Sequence, residues 1–205
     1  MRNSLTLLST ALLLNLFSTA YAASAIDLSV KGLITPSACS PILSGGGVID
    51  HGKLSAGDLN QGNPTYLPKH TVQMNVSCEA QTLFGLKAID NRTASGSSSS
   101  FGLGFVNGDK KLGWFYLYFN NPVMDGATAR SIVSYDNGNT WRPEDMFEPG
   151  PLFAISTPAD TSLPIAGREL AVELEIATGI YDAAGMDLSQ EVPLDGSATI
   201  EVKYL

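Results

Sequence analysis

Ser134 to Trp141 reads SYDNGNTW and concentrates side chains with chemistry to offer. Asp136 is a carboxylate two residues from the hydroxyl of Ser134, and Glu144, Asp145 and Glu148 follow closely. Carboxylate pairs at a suitable separation hydrolyse glycosides, so a small glycosidase is one reading. A solvated acidic loop is the other. Asp136 to Asn139, DNGN, has some calcium-loop character but lacks the further acidic ligands at the required spacing. Elsewhere there is no Gly-x-Ser-x-Gly, no His-Glu-x-x-His and no phosphate loop. His51 and His70 are the only histidines, and neither has ligand spacing. The residues therefore assign no catalytic group, no metal and no cofactor.

The same eight residues resemble the Asp box of sialidase propellers, with Ser134, Asp136, Gly138 and Trp141 in its positions. That resemblance implies a hairpin away from any catalytic centre. A sialidase also needs a many-bladed propeller and an arginine cluster. One box, a short chain and scattered Arg92, Arg130, Arg142 and Arg168 supply neither. The expectation is a structural turn in which Gly138 takes positive φ and Trp141 packs beneath.

The elements that must position these residues begin with an export signal. Arg2, an apolar run from Leu5 to Phe17 and Ala20-Tyr21-Ala22 have the layout of a signal peptide. Cleavage is expected after Ala22, with Ala23-Ser24-Ala25 as the weaker site. The run is shorter than the roughly 20 residues of a membrane span, and no later stretch is apolar enough, so no membrane insertion is expected after cleavage. Loss of Arg2 takes the formal charge from −8 to −9. That acidity argues against nucleic acid. Cys39 and Cys78 are the two cysteines, and an exported chain with an even count usually pairs them.

The remainder reads as strands and turns. Ile26, Leu28 and Val30 alternate with polar residues, as do Val72, Met74, Val76 and Cys78, then Leu170 to Ile176, then Ala198, Ile200, Val202 and Tyr204. Trp114 to Phe119 is an aromatic and aliphatic run. Gly-, Pro- and Ser-rich breaks separate them, and Ser97 to Ser100 reads as a flexible loop tip. A short helical turn is expected near Pro143. Many short strands between turn signals predict an all-β sandwich.

Both ends of the mature chain carry a further signal. VKGLITPSAC, with Gly32, Ile34, Pro36 and Cys39, resembles the start of chaperone–usher fimbrial subunits, and Cys78 fits the second pilin cysteine. GSATIEVKYL, with penultimate Tyr204, resembles their last strand. Val192 stands where many pilins have a glycine, and Gly196 is displaced. The segment 91–164 is longer than in rod pilins and carries the Asp box.

The resemblance implies an immunoglobulin-like β-sandwich lacking its last strand and therefore incomplete until another chain donates one. It implies a signal peptide at 1–22, a donor extension at 23–31 and a sandwich domain at 32–205. Ile26, Leu28 and Val30 would be donor side chains; Ala198, Ile200, Val202 and Tyr204 would line the acceptor groove. Expected partners are a periplasmic chaperone, an outer-membrane usher and neighbouring fimbrial subunits. The protein would pass through the periplasm to the cell surface, without enzymatic chemistry. A self-contained carbohydrate-binding module or tip adhesin is the alternative. Its partner would be a host or surface glycan, stacked on Trp114, Tyr116 and Tyr118 or on Trp141.

Overall fold

The computed structural model describes residues 29–30 and 38–205. Its strands are β1 (Cys39–Leu43), β2 (Thr65–Tyr66), β3 (His70–Thr82), β4 (Phe84–Asp90), β5 (Phe101–Gly102), β6 (Phe105–Val106) and β7 (Lys110–Lys111). They continue as β8 (Gly113–Met124), β9 (Ala127–Thr128), β10 (Arg130–Ser134), β11 (Arg142–Pro143), β12 (Leu152–Ser156), β13 (Gly167–Ile180) and β14 (Ala198–Tyr204). Among the described residues the only helical pieces are single 3₁₀ turns at Ser44–Gly47 and Ala56–Asp58.

All named strand pairs are antiparallel. One sheet runs β1-β3-β13-β8-β5, with β2 added to β13 and β9 to β8; a second runs β11-β10-β12-β4-β14, and β6 and β7 pair as a separate hairpin. The protein is an all-β sandwich of antiparallel sheets around one core. Period-two alternation builds it. Leu170, Val172, Leu174 and Ile176 of β13 are buried, while Glu169, Glu173 and Glu175 face outward. Met74 and Val76 of β3 meet Leu86, Phe153 and Ile155 of the other sheet in one core. Phe119, Phe147 and Phe153 pack as a triad, with centroids 4.5, 4.9 and 5.9 Å apart.

Two local expectations fail for identifiable reasons. The segment after Pro143 makes no helical turn. Phe147 is fully buried and draws the chain across the edge of β8, where Phe119 N–H donates to the Asp145 carbonyl and Phe147 N–H to that of Leu117, each at 2.8 Å. The Ser97–Ser100 loop is not a free tip either. Ser100 and Ser95 are buried, and the Ser97 and Ser100 hydroxyls lie 2.7 Å apart. Asp90, also buried, accepts from Arg92 N–H at 2.8 Å and Gly102 N–H at 3.1 Å, which ties the loop back to the sheet.

Candidate functional site

The sandwich is open along one side. β14 pairs with β4, and among the described residues no strand pairs with its other edge. The register shows what that edge presents. Asn91 N–H donates to the Ser197 carbonyl at 3.0 Å, and Leu205 N–H to the Leu83 carbonyl at 3.1 Å. Antiparallel pairs exchange such bonds at every second residue, so Thr199, Glu201 and Lys203 bond to β4. The N–H and C=O groups of Ala198, Ile200, Val202 and Tyr204 point the other way.

β1 faces this edge from the opposite sheet. Glu79 N–H donates to the Ala38 carbonyl at 3.1 Å, which puts Cys39, Pro41 and Leu43 in the outward phase. Pro41 has no N–H to leave unpaired, which suits an edge strand. The Cys39–Cys78 disulfide fixes β1 to β3, joining two residues directly opposite in the ladder.

Between β1 and β14 lies an apolar groove of about 600 Å³. Its floor is core: Met74 of β3, Phe115 and Leu117 of β8, Leu174 and Ile176 of β13. Pro41 and Leu43 form one wall; Gly196, Ala198 and Ile200 form the other. A side chain at Gly196 would stand 2.8 Å from Leu103 Cδ2, so glycine keeps the floor open there.

The C-terminal residues divide within this frame. Ala198 and Ile200 line the groove, and Val202 packs against the core. Tyr204 is exposed and spans the gap, its hydroxyl accepting from Cys39 N–H at 3.0 Å. That bond crosses from β14 to β1 beyond Val202. Ile26 and Leu28 lie outside the described residues, and Val30 belongs to no strand.

Sequence spacing gave no sign that the two histidines meet. His51 lines the groove and its Nε2 lies 3.0 Å from Thr178 Oγ1 on β13. Its ring stands edge-on to His70, centroids 4.8 Å apart. Burial and then His70 push its pKa below the ordinary value, against a smaller pull from Asp50, so the ring stays neutral at pH 7. A His–Thr pair thus marks a polar spot in an apolar groove. Among the described residues no cluster of three or more His, Cys, Asp or Glu could hold a metal.

The Asp-box turn is a closed hydrogen-bond device on the other sheet. Ser134 Oγ donates to Asp136 Oδ1 and accepts from Gly138 N–H, both at 2.7 Å. Thr140 gives its N–H to Oδ1 at 2.8 Å and its hydroxyl to Oδ2 at 2.7 Å. Asn137 and Gly138 take positive φ, 58° and 95°, and the Trp141 indole donates to the Gly138 carbonyl at 3.1 Å. The acidic residues nearby are likewise engaged: Asp145 accepts from Ser131 Oγ, Glu148 from Tyr135 OH, and Glu144 from Asp145 and Met146 N–H.

These bonds, first those from the Thr140 hydroxyl and N–H and then that from Ser134, lower the Asp136 pKa to about 2. A lowered carboxylate pKa contributes stability above the unfolded value, which is lost as pH falls through the folded one. The melting-temperature advantage of the native chain over Asp136→Asn is therefore expected to hold at pH 5 and to shrink from about 3.8 to about 2. An advantage independent of pH over that range would refute the assignment.

Of the sequence candidates for sugar stacking, Trp114 is buried beneath Tyr181, centroids 4.6 Å apart, and so cannot offer an open face. Phe115, Leu117 and Phe119 are core, while Tyr116 and Tyr118 are half-buried on the outer face.

The chain is similar to several known proteins. The family described as "Protein of unknown function (DUF1120)" matches residues 28–103, which include both cysteines. Protein GltF of Escherichia coli (strain K12) is 24% identical, covering 87% of this chain and 88% of its own. Uncharacterized protein YhcF of the same organism is also 24% identical, covering 91% and 93%. Among solved structures, the P pilus rod subunit PapA aligns with a TM-score of 0.44 at 12% identity, over 82% of this chain and 99% of its own. The groove and the free edge of β14, unlike the closed Asp-box turn, leave backbone groups and apolar surface unpartnered.

Proposed function

We propose that the protein is a structural subunit of a surface fimbria, held by a periplasmic chaperone, passed to an outer-membrane usher and assembled by donor-strand exchange. The observation that carries this is the open groove, where outward N–H and C=O groups of Ala198, Ile200 and Val202 border an apolar floor. An exposed edge of this kind invites another strand. Strand addition takes affinity from backbone bonds and specificity from alternate side chains seated in pockets.

The signal peptide occupies 1–22, the donor extension 23–31 and the acceptor domain 32–205. Ile26, Leu28 and Val30 enter a neighbour's groove. The role is structural rather than catalytic: among the described residues the cluster with a catalytic look, around Asp136, spends its bonding capacity on its own turn.

Coexpression with a cognate chaperone tests the reading. Ile200→Asp places a charge in the groove wall and is expected to reduce recovery of the complex at least tenfold. Tyr204→Ser removes the bridge to Cys39 and lowers recovery less. Equal recovery of native and Ile200→Asp chains would sink the proposal.

A further inference from the structure

The groove has a titratable end. Tyr204 bonds to Cys39 where Cys39 faces Cys78, whereas His51 sits beside His70, at the start of β3. From there His51 reaches past β3 to β13, the next strand in the sheet, where its Nε2 lies 3.0 Å from the hydroxyl of buried Thr178. Leu103, Phe115 and Gly196 line the same groove. Among the described residues that line it, His51 alone can carry a charge.

The segment that carries His51 is held by side chains. β1 pairs with β3 as far as Leu43 opposite Met74. Ser44 Oγ then accepts from Gln73 N–H at 2.9 Å, and Gly45, Gly46 and Gly47 turn the chain out of the ladder at positive φ of 61°, 66° and 72°. Among the described residues no backbone bond ties 48–53 back to β3. Gly52 N–H donates to Asp50 Oδ1 at 2.7 Å inside the segment, and Lys53 meets Glu191 at 3.4 Å in open solvent. Val48 is exposed and Ile49 packs against the core. A segment with so few bonds opens at low cost in free energy. Ile49 and His51 therefore hold this end of the groove wall.

The groups around the ring set its response to protons. Burial is the largest influence and disfavours the charged form; His70, facing it from β3, acts the same way; Asp50, on its own segment, opposes them. β13 offers only the neutral Thr178, and Lys69, next to His70, is taken up by Glu175 at 2.7 Å. A strand laid along β14 removes more water from the ring. Residues 23–31 are as many as residues 196–204, so a donor of that length follows β14 back to Gly196 and covers the His51 end. Taking the groove as the donor site proposed above, we propose that a seated strand and a proton on His51 exclude each other. The groove holds its donor while the ring is neutral and releases it in mildly acidic medium. Once charged, the ring turns out to water with segment 48–53, and the wall beyond Leu43 goes with it. Affinity is full above the pKa of the free chain and falls as pH drops below it, because the covered ring takes its proton less readily.

The test measures binding of a fluorescent peptide of residues 23–31 to the full exported chain at pH 7.5 and 5.5. The peptide is acetylated and amidated, which leaves Asp27 and Lys31 as its charges, and neither titrates between those values. Affinity is expected to fall about threefold, out of the tenfold that one pKa unit is worth. His51→Gln, which stays neutral, should bind equally at both pH values, while His70→Gln should keep the dependence. The native chain gives a second reading that needs no variant: with its two histidines followed by NMR, the peptide should lower the pH at which His51 titrates. Equal affinity at both pH values, tighter binding at pH 5.5, a dependence that survives His51→Gln or an unmoved His51 titration would each overturn the proton link and leave the groove a donor site. No binding at pH 7.5 would overturn the donor reading, and the proton link with it.

Discussion

A synthetic peptide of residues 23–31 is expected to raise the melting temperature of the chain that begins at Gly32 by roughly 5–11 °C. The groove exposes the face of the core formed by Met74, Leu117, Leu174 and Ile176. Seating Ile26, Leu28 and Val30 on it buries three apolar side chains at about 1.5–3 kcal/mol each. Ladder bonds to β14 add to that, and ordering the peptide takes back about 2–5 kcal/mol. A peptide at about 100 times its Kd stabilises by about 2.7 kcal/mol, and each kcal/mol moves a domain of this size by about 2–4 °C. A Leu28→Asp peptide should give no shift. If the two peptides act alike, the rise is non-specific and the 23–31 segment is not a donor. If neither acts on a chain that already melts high, the domain is complete as it stands.

The sequence made the frame legible and left the closures obscure, for a physical reason. Period-two alternation is local, so β3, β13 and β14 could be read from Met74, Leu174 and Ile200 without knowledge of their neighbours. The Asp-box turn was legible too, because its bonds run between residues no more than four apart. Contacts across the fold were not. Phe147 ends up in the core because β8 offers an edge and a phenylalanine pair, and nothing in RPEDMFEPG announces that. The Ser97–Ser100 loop reads as polar and mobile, yet buried Asp90 gathers its backbone. His51 and His70 meet only because the segment after the glycines at 45–47 returns along the groove. Alternation and the fimbrial resemblance both put Tyr204 on the groove side of β14, but they give the side of the strand and not the reach of the side chain. Its hydroxyl goes past the groove to Cys39.

That bond ties the last prediction to the first. β1 is a five-residue edge strand with three exposed positions, Ser40, Pro41 and Ile42, so burial alone holds it weakly. The disulfide supplies what burial does not. Cys39 and Cys78 enclose a sequence separation of 39, and closing such a loop stabilises by about 4 kcal/mol in the chain-entropy model. The Cys39→Ser, Cys78→Ser double variant is therefore expected to melt roughly 8–16 °C lower at about 2–4 °C per kcal/mol. Reductant should do the same to the native chain and nothing to the variant. Peptide binding should fall with it, because β1 walls the groove through Pro41 and Leu43 and receives Tyr204 at Cys39. A variant that melts lower but binds the 23–31 peptide unchanged would show that β14 and the floor suffice to seat a donor. A variant that melts as the native chain does would mean that β1 is held by its ladder to β3 and not by the disulfide.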